Sequence, residues 1–342
     1  MLDPLTALLS GILLLAVALS LFWPRFGLIE RWRSAKRTTQ RVLIEDALKH
    51  LYAQEYRGGL ATLESLSGAL GIDRDQAAKL LTRLETLEMI KSQSNGFKLT
   101  AEGRSYALRV IRIHRLWERY FADETGLAET KWHEKAEERE HETTPEEAEA
   151  LAMQMGNPLH DPHGDPIPTS NGELPPQKGK PLIDLPAGEL ARISHIEDEP
   201  EALYAQLVAQ GIYPGMQILV TEKSAERIGL IADGEEIKLA PIVAMNVTVT
   251  PLPKDSKMEG PFEALSTLKV GESGVVLGIS KACRGMQRRR LMDLGLVPGT
   301  VVSAELKSAS GNPTAYNIRG AMIALRKDQA HLVHIRRQEE VS

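Results

Sequence analysis

The chain has 342 residues, of which 42% are hydrophobic and 25% charged, and a net charge of −5 at pH 7. Such a length calls for two or three domains, and the composition is that of folded globular material. Its one cysteine, Cys283, excludes a disulfide framework and a cysteine-built zinc site within the chain, and the acidic balance gives no general push toward nucleic acid.

The first element is apolar. Leu5 to Trp23 reads LTALLSGILLLAVALSLFW without a charge, long enough as a helix to span a bilayer core. Acidic Asp3 precedes it, where a cleaved signal peptide would have a basic segment. Arg25, Arg31, Arg33, Lys36, Arg37 and Arg41 follow, which by the positive-inside rule puts the remainder in the cytoplasm. The expectation is a single-pass anchor in the inner (cytoplasmic) membrane over residues 1–24 and a basic juxtamembrane segment over 25–37. A buried core helix or a misplaced start is the alternative.

Residues 38–106 read as a winged helix-turn-helix. Val42, Leu43, Ala47, Leu48 and Leu51 have helical spacing. A short helix, a turn at Gly71 and a second helix over Asp73–Met89 follow, and then two short strands around Asn95-Gly96, a hairpin signal. Arg74, Gln76, Lys79, Thr82 and Arg83 on the second helix, with Lys91 and Lys98 on the hairpin, are the candidates to face DNA. Nine basic and nine acidic residues cancel in this block, and Asp73 and Asp75 would repel phosphates. A winged helix that no longer binds DNA strongly therefore stands beside the DNA-binding reading.

Residues 133–141, HEKAEEREH, set two histidines around four glutamates. His133, Glu137, Glu140 and His141 recur at i, i+4, i+7 and i+8, one face of a helix. Upstream, HRLWE puts His114 and Glu118 at i, i+4 on another helix. Carboxylates at this density repel unless something neutralises them, and a divalent cation does so. Nitrogen and oxygen ligands without thiolate suit Mn(II) or Fe(II), with Zn(II) as a further candidate. Neither H-E-x-x-H nor H-x-x-E-H fits, because position 137 is Glu. No nucleophile or general-base arrangement stands out, so an enzyme is not expected. A solvated acidic helix with incidental histidines is the bland alternative.

Residues 38 to about 168 resemble the diphtheria toxin repressor and manganese transport regulator family of metal-dependent repressors. The resemblance rests on the winged-helix block, HRLWERYF, HEKAEEREH and GNPLHDPHGDPIP, in that order. It implies an all-α domain over 107–168 that binds metal and forms a homodimer acting on a palindromic operator. It implies a primary site of Asp46, Glu137, Glu140 and His141 and a second site of His114, Glu118 and His133. Glu137 matches the manganese-type branch, whereas Lys49 departs from it and His133 matches the iron-type branch.

After a linker at 169–181, one pattern occurs twice, over 182–253 and 262–337 with a linker at 254–261. LPAGELARI matches LKVGESGVV, LVAQGIYPGMQI matches LMDLGLVPGTVV, and DGEEIKLAPIVAMNVTV matches RGAMIALRKDQAHLVHI. Alternating apolar strands, one short helix and a Pro-Gly turn predict a small SH3-like barrel in each copy. Both resemble the FeoA domain of bacterial ferrous-iron transport. Arg284, Arg288, Arg289 and Arg290 in copy two stand near the place of Glu197, Asp198, Glu199 and Glu201 in copy one. Opposite charges allow docking between copies or subunits; solvated surface is the simpler reading.

The expected fold class is multidomain α + β: a transmembrane helix, a winged helix-turn-helix, an all-α dimerisation and metal-binding domain, and two SH3-like β-barrels. The expected function is a membrane-anchored, iron- or manganese-dependent DNA-binding transcriptional regulator. The alternative is a membrane-associated metal sensor or accessory of a ferrous-iron transporter.

Overall fold

The structure is a computed structural model that describes residues 40–175, 179–260 and 262–338. The chain divides into two units, one ending at Ile111 and the other starting at Arg112.

In the first unit, α1 (Gln40–Tyr56) buries Ile44, Ala47, Leu48, Leu51 and Tyr52, the stripe that a helical period requires. Glu45 is buried as well, and it accepts hydrogen bonds from Arg41 Nε (2.7 Å) and the Tyr106 hydroxyl (2.8 Å). The next helix, α2 (Leu63–Leu70), starts at a Thr62–Ser65 capping box and stops at left-handed Gly71. Asp73 caps α3 (Arg74–Thr86) through the Gln76 backbone N–H, so this carboxylate is tied to the helix start. The hairpin of β1 (Ile90–Gln93) and β2 (Gly96–Leu99) pairs Gln93 with Gly96, so its loop is Ser94-Asn95, one residue before the expected turn. Gly96 serves a different purpose. A Cβ there would stand 2.4 Å from the Ala61 carbonyl oxygen, to which Phe97 N–H donates at 2.9 Å. The glycine lets residue 61 join the hairpin as a short third strand.

The 24-residue α4 (Ala101–Glu124) runs from the first unit into the second. There α5 (Trp132–Glu140) and α6 (Pro145–Gln154) follow, α6 being opened by a Thr144–Glu147 capping box with Pro145 in its first turn. Leu116, Ala148, Leu151, Ala152 and Ile167 form a small core. Arg112 and Arg115 of α4 donate to the carbonyls of Pro168 (2.8 Å) and Pro166 (2.7 Å) and so pin the loop after α6.

Two six-stranded antiparallel sheet domains stand where the SH3-like barrels were expected. The first comprises β3 (Lys180–Pro181), β4 (Leu190–Ile196), α7 (Glu201–Ala209), β5 (Gln217–Lys223), β6 (Ile228–Ala232), β7 (Glu235–Leu239), α8 (Pro241–Ala244) and β8 (Val247–Pro251). The second comprises β9 (Glu263–Ala264), β10 (Ser273–Ile279), α9 (Gly285–Asp293), β11 (Val301–Lys307), β12 (Thr314–Ile318), β13 (Ala321–Leu325), α10 (Lys327–His331) and β14 (Val333–Arg337). Strand order is β3-β8-β4-β5-β6-β7 in one and β9-β14-β10-β11-β12-β13 in the other, the same arrangement twice. Even the irregularities repeat: register shifts at Ile193/His195 and Val220/Glu222 recur at Val276/Gly278 and Ala304/Leu306. Each domain encloses its own core, around Leu207, Ile218 and Val249 in the first and Leu291, Tyr316 and Ile335 in the second. Cys283 is a buried free thiol in the second core, and burial pushes its pKa up.

Among the described residues no helix is long and apolar enough to cross a membrane. α4 has the length but carries Arg109, Arg112 and Arg115 along it. The inner-membrane location, single-pass topology and membrane partner expected from the sequence are therefore corrected and not carried further. The apolar run at 5–23 on which they rested lies outside the described residues.

Candidate metal centre

His114 and Glu118 lie one turn apart on α4, and His133 comes from the first turn of α5. One ligand atom from each of the three falls within 4.8 Å of the others. His114 Nε2 is 3.0 Å from Glu118 Oε1 and 3.3 Å from His133 Nδ1, and His133 Nδ1 is 3.2 Å from the same Glu118 oxygen. Donor atoms about 3 Å apart are the edges of a polyhedron whose bonds to a central cation measure about 2.0–2.2 Å.

The first sheet domain and the loop after α6 complete the wall. Asp198, between β4 and α7, brings Oδ2 to 2.9 Å from His133 Nδ1. His163 is buried, and neither of its ring nitrogens has a hydrogen-bond partner. Its Nε2 stands 3.9 Å from both Glu118 Oε1 and Asp198 Oδ2. A buried imidazole without a partner is costly in an otherwise satisfied structure, and a cation among these three side chains would remove the deficit. The donor set fits a divalent ion: nitrogen and carboxylate oxygen, with no thiolate.

The loop is held by Asp161, which accepts from the backbone N–H of His163 and of Asp165, both at 2.9 Å. The carbonyl of His163 accepts from Ile196 N–H at the end of β4 (2.9 Å).

The electrostatics follow from this crowding. Burial disfavours the charged form of Glu118, but His114, His133 and His163 outweigh it and hold the carboxyl well below its usual range. Burial likewise opposes the charge on His133, yet hydrogen bonds to Asp198, Glu118 and Glu137 drive its pKa far upward. Asp198 is lowered against its burial, mainly by the hydrogen bond to His133. Asp161 is raised well above its ordinary value by burial, then by Asp165 and Glu118. Asp165 overcomes its burial through Arg115 and His195 and falls to about 2.

Of the remaining expected ligands, Glu140 lies beside both His114 and His141. Glu140 is buried, with Oε2 2.6 Å from His114 Nδ1 and Oε1 3.3 Å from His141 Nε2. It therefore joins the two sets. Glu137 is half exposed, its carboxylate 3.6 Å from His133 Nε2. Asp46 lies on α1 of the first unit and is half-buried. Arg74, Gln76, Lys79, Thr82, Arg83, Lys91 and Lys98 are all exposed. Three of them have local partners: Arg74 pairs with Glu64 (2.9 Å), Gln76 completes the α3 cap, and Thr82 donates to the Ala78 carbonyl (2.9 Å).

Sequence reasoning missed His163 and Asp198. In the sequence the loop GNPLHDPHGDPIP is only a landmark, and the acidic run at 197–201 reads as surface. No helical spacing links either residue to α4 or α5.

Residues 100–169 match the family model described as iron dependent repressor, metal binding and dimerisation domain. Residues 180–251 and 264–337 each match the FeoA domain. The diphtheria toxin repressor of Corynebacterium glutamicum is 26% identical over 59% of this chain and 93% of its own length. A manganese-dependent transcriptional repressor solved in complex with manganese aligns at 26% identity and TM-score 0.58, over 61% of this chain and all of that one. The repressor ScaR with bound Zn2+ aligns at 26% identity and TM-score 0.54, over 61% of this chain and 99% of that one. These relatives are metal-dependent transcriptional repressors, not enzymes, and the chain is similar to them over about three fifths of its length. Its two FeoA matches lie in the C-terminal half.

Proposed function

We propose that the protein is a metal-dependent DNA-binding repressor whose metal centre comprises His114, Glu118, His133, His163 and Asp198. The observation that carries this reading is His163, an imidazole buried beside two carboxylates with no hydrogen-bond partner. Mn(II) or Fe(II), with Zn(II) as a competitor, suits the donors. When bound, the cation would supply positive charge beside the carboxylates of Glu118 and Asp198. The primary site that the sequence resemblance implies, of Asp46, Glu137, Glu140 and His141, would be a further place for the same cation. Metal binding would bias the presentation of α3 and the hairpin to DNA, in a homodimer acting on a palindromic operator.

One feature of the hairpin supports an anionic partner. Lys91 and Lys98 face each other across its strands, and like charges directly opposite are unfavourable until a phosphate neutralises them. Together with Lys79 and Arg83 on α3 they are the residues we assign to DNA backbone contacts. Nothing comparable supports a ferrous-iron transporter as partner.

The test is retention of genomic DNA fragments by the full chain with and without Mn(II), at stated salt. Metal-dependent enrichment of a palindromic site is the expected result. In Glu118→Ala/His163→Ala the metal dependence should vanish. Equal DNA retention with and without metal by the parent chain would overturn the reading.

A further inference from the structure

The second FeoA domain contributes no ligand to the centre, yet it is fastened beside it. Its helix α9 starts against the end of α4. Met286 N–H donates to the Thr125 carbonyl (3.3 Å), and Arg289 reaches both carboxylate oxygens of Glu124 (3.1 and 2.9 Å). Gly285 has φ +56, and a Cβ there would lie 2.2 Å from the Thr125 carbonyl oxygen and 2.9 Å from that of Ala122. Only a residue without a side chain permits so close an approach.

Arg284 goes deeper. Its side chain is only 18% exposed, and its guanidinium stands 3.9 Å from Asp123 and donates to the Pro162 carbonyl (3.2 Å). That carbonyl belongs to the peptide unit joining Pro162 to His163. The N–H of the same unit donates to Asp161 Oδ1 at 2.9 Å. Arg284 and Asp161 thus hold one peptide from its two ends, and this peptide aims the imidazole of His163. Burying a guanidinium is expensive unless its partners are in place, so this side chain has a defined task.

We propose that Arg284 is a positioning residue for the metal centre, through which the second FeoA domain braces His163 among Glu118 and Asp198. The proposal rests on the metal-centre reading above.

The test is Mn(II) titration of the full chain by calorimetry, in the parent and in Arg284→Ala, Arg284→Lys, Arg289→Ala and His163→Ala. Partners that orient a metal ligand typically change affinity by about 10–100-fold. Arg284→Ala is expected to weaken one class of Mn(II) site about tenfold and to leave the other unchanged. Arg284→Lys, which keeps a donor for the carbonyl, recovers most of the loss. Arg289→Ala, which loosens only the grip on Glu124, changes neither class. Adding His163→Ala to Arg284→Ala produces no further loss beyond His163→Ala alone, as required if one acts through the other. Parent-like affinity in Arg284→Ala while His163→Ala is weakened would overturn the brace and leave the metal centre standing. Equal weakening of both classes would also overturn it. Parent-like affinity in His163→Ala would overturn the metal-centre reading and the brace together.

Discussion

The two FeoA domains share strand order, bulge positions and a helix between the second and third strands, yet they hold the helical domain by opposite chemistry. The first uses the segment between β4 and α7, where Asp198 meets His133. The second uses the equivalent segment between β10 and α9 and the helix itself, where Arg284 and Arg289 meet Asp123, Pro162 and Glu124. The sheets carry only packing information, and one strand order tolerates opposite charges on one connecting segment. Duplication therefore supplied two scaffolds. The strand-to-helix segment decides whether a copy offers a carboxylate to an imidazole or a guanidinium to a carbonyl.

Three measurements bear on that contrast. The largest effect belongs to the cores. Leu207→Ala in α7 and Leu291→Ala in α9 each remove a fully buried side chain and should cost about 2–5 kcal/mol in denaturant unfolding of the affected domain. Only Leu207→Ala should also remove a metal-centre carboxylate from its place, so its Mn(II) affinity should fall further than that of Leu291→Ala. Equal losses would make the two domains equivalent supports. Next is Asp198→Asn, which keeps the shape and removes the charge. A loss of about 100-fold in Mn(II) affinity is expected at one class of site, and an unchanged isotherm would remove the first domain from the centre.

The smallest effect is on pH dependence, and it has opposite sign in the two domains. Burial opposes the charge on His195 of β4, but the hydrogen bond to Asp165 raises its pKa above 6.5. Its contribution to stability is full below pH 6.5 and is lost as pH rises through the folded pKa. His334 of β14, stacked on Phe262 at 4.7 Å, is lowered by burial and then by His331, against Asp233. Its contribution is present above pH 6.5 and is lost as pH falls through the folded pKa. Proton NMR titration of the metal-free chain should find one imidazole above and one below the ordinary midpoint. Two titrations on the same side would refute the assignment.

What the sequence revealed depended on range. His114 and Glu118 were legible because a helix makes i, i+4 neighbours, and the duplicated domains were legible because motifs repeat in order. The hairpin was legible, but its turn was misplaced because Gly96 answers to Ala61, some 35 residues away. His163, Asp198 and Arg284 were not legible as parts of one centre. They are brought together by packing of separate domains, and no local period encodes that. Helical spacing says which residues of HEKAEEREH share a face, and not which neighbour each oxygen meets, so the contact of Glu140 with both His114 and His141 was not legible.

Glu140 shows what that choice entails. One of its oxygens serves His114 and the other His141. A carboxylate shared in this way cannot present the same charge to each side once either imidazole changes its state. One buried carboxylate is thus held from both sides, and its place is a compromise between two imidazoles rather than the choice of either.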